Sequence, residues 1–214
     1  MKSLLPRLSV IALACCLGIQ LANARVGDSR STLERRLLTE GGAVKLLDDE
    51  VFEQHFKKSP FKDTLDPESD TYEMVLYYKT ADGGKAYSSR VLDDRERPVA
   101  NPDGWLIFVV YARGQSVFEA YKRSSGLTEA ESNGLLLLNR GDGTWNRGTL
   151  PTDAYPSKDY KPLLKHNLFR SDNQLLAQQN GSYLVLFDVD FDAYLSRTKH
   201  EKEMEEAPNS LNGF

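Results

Sequence analysis

The chain has 214 residues, 27% of them charged, with a net charge of −4 and two cysteines. That acidic balance excludes nucleic acid as the expected partner, because phosphate binding needs a basic surface. The cysteines, Cys15 and Cys16, are adjacent near the N-terminus, so residues 25–214 hold no disulfide, no cysteine zinc ligand and no cysteine nucleophile.

Lys2 and Arg7 precede a charge-free run from Leu8 to Leu21, and Ala22-Asn23-Ala24 puts small residues at both key positions of an A-x-A site. This is the pattern of a secretory signal peptide cut between Ala24 and Arg25. A spanning helix needs about 20 apolar residues, and this run is shorter. No transmembrane helix is expected. Leu13-Ala14-Cys15-Cys16 also loosely resembles a lipobox, in which Cys15 or Cys16 becomes the lipid-anchored residue. The expected address is secreted or periplasmic, with a lipid anchor as the alternative. Loss of the leader removes two positive charges and no negative one.

In "DSRSTLERRLLTEGG", Ser31 followed by Glu34 reads as a capping box, and Leu33, Leu37 and Leu38 share a face. Gly41 and Gly42 end that helix. A second helix lies in "DDEVFEQHFKK", with Val51, Phe52, His55 and Phe56 as its apolar stripe, and Pro60 stops it. "TYEMVLYYKT" and "KAYSSRVL" flank "ADGG" as a hairpin, and residues 93–103 form a loop. Trp105 to Tyr111 is a central strand, Ala112 to Gln115 a turn, and Ser116 to Lys122 the returning strand. Thr128 with Glu131 makes another capping box, opening a helix through Leu138. Residues 146–163, with Pro151, Pro156 and Pro162, form a long loop. "HNLFR", "QLLAQQ" and "SYLVLFDVD" are three strands, and Asn180-Gly181 is a hairpin turn. The end begins as a helix and becomes polar on every side, so residues 196–214 read as a disordered tail.

Strand runs separated by helices predict an α+β fold: an antiparallel sheet of hairpins with helices packed on one face. The expected unit is a single domain over 25–195, with tandem helix-plus-sheet sub-units at 25–123 and 124–195 as the finer reading.

"GDSRSTLERRLL" resembles the opening helix of small secreted bacterial helix-plus-sheet proteins, such as the outer-membrane-assembly lipoprotein family and β-lactamase-inhibitor-like domains. "GWLIFVVYARGQSVFEAYKR", followed by "LTEAESNGLLLLNRGDGTW", is similar to a pattern in uncharacterised secreted bacterial proteins. The Gly-Pro that ends the helix in the first group is absent here. The resemblance implies a fold and a compartment and transfers no active site.

Several catalytic patterns fail on their neighbours. Gly27-Asp28-Ser29 looks like a secreted esterase nucleophile block, but none of the three histidines has Asp three residues before it; Phe52, Leu163 and Arg197 stand there. Ser59-Pro60-Phe61-Lys62, Ser171-Asp172-Asn173 and Lys79-Thr80 mimic the penicillin-binding boxes in the wrong order, and Ala81 replaces the required Gly. Gly114-Gln115-Ser116 lacks the closing Gly of a nucleophile elbow, and Gly141-Asp142-Gly143 lacks the third Gly of a dinucleotide fingerprint. Asp188, Asp190 and Asp192 have calcium-loop spacing, but Ala193 and Lys199 replace its Gly and Glu. His55, His166 and His200 share no metal spacing. No cofactor or metal is assigned.

What remains is aromatic loop surface: Trp145, Tyr155 and Tyr160 are the candidate binding residues for a protein or glycan partner. His166 is the one residue that a catalytic reading singles out. The expectation is a non-catalytic binding or interaction module. The alternatives are a secreted hydrolase with His166 as base and an envelope lipoprotein scaffold.

Overall fold

The computed structural model describes residues 26–80 and 104–205. The leader, both cysteines, Ala22, Ala24 and Arg25, the strand in "KAYSSRVL" with its "ADGG" turn, and residues 206–214 lie outside the described residues.

Four helices and eight strands make up the described chain. Helix α1 (Arg30–Glu34) runs directly into a π-helical segment (Arg35–Glu40). Strand β1 (Val44–Leu46), helix α2 (Asp49–Phe56) and strands β2 (Glu73–Lys79), β3 (Trp105–Ala112) and β4 (Gln115–Arg123) complete the first half. The second half contains α3 (Glu129–Leu138), β5 (Trp145–Arg147), β6 (Leu168–Arg170), β7 (Leu175–Asn180), β8 (Tyr183–Asp188) and α4 (Val189–Glu205).

All eight strands form one antiparallel sheet in the order β1-β2-β3-β4-β8-β7-β6-β5. The order describes two four-stranded meanders, β1 to β4 and β5 to β8, that meet where β4 pairs with β8. The changeover between meanders falls in residues 124–128. The α+β class with an antiparallel sheet is the observed one.

Helices cover both faces of the sheet, where the sequence reading put them on one. Val51 and Phe56 of α2 and Val189, Phe191 and Leu195 of α4 pack against Leu76, Phe108, Phe118 and Phe187. On the other face, Leu33 of α1 and Leu136 of α3 pack against Val75, Ile107, Val109 and Leu186. Two-sided cover explains why β3 is apolar at successive positions: Leu106 to Tyr111 are all buried. Fully burying a Leu or Phe contributes about 1.5–3 kcal/mol, so these layers hold the sheet together.

Local signals place most helix starts. Asp48 caps α2 by accepting from the Val51 amide at 3.0 Å. Thr128 and Glu131 form the expected capping box on α3. At α1 the cap is Ser29 and not Ser31: Ser29 accepts from the Thr32 amide, while Glu34 turns away to Arg30 and Tyr77. An antiparallel bridge from Ser29 to Gln115 holds the preceding residues extended, so helix can begin only at Arg30. At the other end of this segment, a Cβ on Gly41 would sit 2.8 Å from the Leu37 carbonyl oxygen, so the wide turn closes only on glycine.

Helix α4 continues to Glu205, past residue 196 where the sequence reading begins a tail. Its last turns are exposed and carry loose i,i+4 pairs, Arg197–Glu201 and Lys199–Glu203, each at 4.0 Å. Among the described residues no helix is long and apolar enough to cross a membrane.

Candidate functional site

Three local irregularities converge at one end of the sheet. The first is the turn between β3 and β4. Ala112 pairs with Gln115, leaving Arg113 and Gly114 as a two-residue connection. Both have positive φ, +52° and +77°. That is the left-handed conformation of a type I′ turn, which Asn or Gly normally takes at its first position. A side chain there costs roughly 1–2 kcal/mol.

The second is a β-bulge. Val110 pairs with Phe118 and Tyr111 with Ser116, so Val117 is the extra residue. The bulge brings Val117 and Phe118, neighbours in sequence, onto the same core cluster. The third is the start of α4. Asp188 accepts from the Asp190 and Phe191 amides at 2.8 and 3.2 Å and so caps the helix. Burial holds its carboxyl above the usual range.

Between these features lies a cleft of about 720 Å³, within the range of pockets that take small molecules. Tyr72, Phe191 and Tyr194 form its aromatic wall. Tyr72 meets Phe191 edge-on at 5.5 Å, and Tyr194 stacks on Phe191 at 6.4 Å. The Tyr194 hydroxyl is fixed by Thr71 Oγ1 at 2.8 Å. Asp190, Tyr194 and Arg197 follow at i, i+4 and i+7, so they share one face of α4. Arg113 stands on the turn opposite. Among the described residues, the Arg113 guanidinium and the Asp190 carboxylate have neither an ion-pair nor a side-chain hydrogen-bond partner.

The residues singled out from sequence lie elsewhere: Tyr155 and Tyr160 meet each other, and Trp145 sits apart from them on the other face of the sheet. The Trp145 indole N–H donates to the Leu136 carbonyl at 2.7 Å, and its ring packs on the cluster under α3. Tyr155 and Tyr160 meet edge-on at 5.0 Å on the opposite face of the sheet. Tyr160 is buried at 5% exposure, while Trp145 and Tyr155 are half-buried. No shared aromatic surface results.

His166 is half-buried, and its Nε2 accepts from the Leu150 amide at 3.0 Å. The lone pair a general base would use is therefore occupied by backbone. Burial also lowers its proton affinity.

The three aspartates with calcium spacing take three separate tasks. Asp188 caps α4, Asp190 reaches the cleft and Asp192 is fully buried beneath the 151–164 loop. Among the described residues no group of three or more His, Cys, Asp or Glu is placed to hold a metal ion. Ser29 of the "GDS" block acts as a helix cap.

Sequence reasoning missed the cleft because Tyr72, Arg113 and Tyr194 come from three distant segments. One signal was available: an Arg-Gly pair at the tip of a tight hairpin, where Asn-Gly is the expected chemistry. Searches of protein families, curated proteins and solved structures find no match to this chain.

Proposed function

We propose that the chain is an exported, non-catalytic binding module that takes its ligand in the cleft between the β3–β4 turn and α4. The observation that carries this reading is the convergence of a bulge, a left-handed Arg113 and a partnerless Asp190 on one aromatic-walled concavity. Backbone irregularity concentrates where a fold serves a ligand, because it costs stability elsewhere. Export rests on the leader pattern of residues 2–24.

The test is a titration of the intact protein with phenol and with indole. Tyr194→Ser removes the outer ring of the wall and leaves buried Tyr72 and Phe191 in place. It is expected to weaken indole binding about fivefold, the loss of one aromatic contact. Unchanged affinity would count against the cleft.

A further inference from the structure

The geometry points to a short zwitterionic peptide with an apolar side chain as the ligand of this cleft. This rests on the cleft being the binding site and goes on to name its chemistry. Four charged groups line the cleft: Arg113, Arg197, Asp188 and Asp190. Asp188 is committed to the first amides of α4, and Arg197 has a loose contact with Glu201 at 4.0 Å. The remaining two are one cation, Arg113, and one anion, Asp190.

Each simpler ligand class leaves one of these groups badly served. A purely anionic ligand, such as a phosphate ester, would meet Asp188 and Asp190. A purely cationic one would meet Arg113 and Arg197. A neutral ligand would desolvate Arg113 and Asp190 without pairing either, which costs free energy. A peptide with free ends offers a carboxylate for the Arg113 guanidinium and an ammonium for Asp190. The Tyr72, Phe191 and Tyr194 rings then receive its side chain.

Arg113 supplies a second, independent argument. Asn would satisfy the +52° backbone at lower cost, and no partner inside the described chain explains a guanidinium there. An arginine kept in a strained position with a free head group fits recognition of an external carboxylate.

The experiment titrates the intact protein with Gly-Phe-Gly and with its N-acetylated, C-amidated form. The free tripeptide should bind about tenfold more tightly, as expected for two exposed ion pairs. Arg113→Asn, which suits the turn, and Asp190→Asn should each weaken the free tripeptide about threefold. Neither should weaken binding of the blocked form, which offers no charged end to either residue. If free and blocked peptides bind equally while indole still binds, the zwitterion assignment is overturned and the cleft survives. If neither peptide nor indole binds, both fail.

Discussion

The Tyr160 hydroxyl donates a hydrogen bond to the carboxylate of Asp192, 32 residues away. The same carboxylate accepts from the Leu163 and Leu164 amides at 3.1 and 2.8 Å. Asp192 has no exposed surface, so one buried group on α4 fastens the long loop that crosses this face. Burial pushes its carboxyl up in pKa, while the three donors pull it back. Tyr160→Phe should cost about 2 kcal/mol in urea unfolding, the net worth of one hydrogen bond to a buried carboxylate. Asp192→Ala strands two buried donors and one part-buried donor and should cost about 3 kcal/mol. Equal small losses in both variants would show that the loop is held by apolar packing alone.

His55 is 2% exposed, and neither ring nitrogen has a hydrogen-bond partner. Burial, with Lys122 and Lys58 facing it, lowers its pKa to about 4. Folded His55 therefore binds a proton less readily than unfolded histidine, which titrates near 6.5. Its contribution is complete above about pH 6.5 and is lost as pH falls to about 4, by roughly 3 kcal/mol. His55→Leu should flatten the stability profile across that window. An unchanged slope in the variant would contradict the assignment.

Glu119 is fully buried on β4, and the Tyr121 hydroxyl donates to it. Burial raises its pKa, so its pH dependence has the opposite sign: stability falls as pH rises from the unfolded value. Comparing His55→Leu with wild type separates the two slopes. Tyr121→Phe should destabilise by about 2 kcal/mol, because a buried carboxylate loses a donor. Adding Glu119→Leu should recover only part of that loss, because the Arg36 guanidinium and the Ser116 hydroxyl also face Glu119 and lose a partner with it. Strict additivity of the two substitutions would mean that they do not interact.

The elements legible in the sequence were those specified by neighbours in the chain. The β3–β4 and β7–β8 hairpins and the Thr128–Glu131 box depend on contacts within a few residues. Strands β1 and β5 escaped notice because each has three residues and exists only through its partner, β2 or β6. The sequence reading put the cap of α1 at Ser31; the bridge from Ser29 to Gln115 moves it to Ser29. Helix cover on both faces was not legible, since periodicity shows that an element is amphipathic and not which layer it joins. The cleft was least legible of all. Its wall and its free charges meet only after β4 and β8 pair.

Arg113→Asn should raise thermal stability, with a gain of about 0.5–1 kcal/mol from relief of the left-handed strain. Together with weaker peptide binding, that gain would show a residue held for a ligand at the expense of the fold. A loss of stability would indicate a structural task for the guanidinium.

The most direct test of the cleft is amide-shift mapping of the isotope-labelled protein with indole. The expected shifts centre on Ala112, Val117, Phe191 and Tyr194, at the turn, the bulge and the first turns of α4. Shifts centred on Trp145 or Tyr155, or no saturable shifts, would contradict the cleft as the binding site.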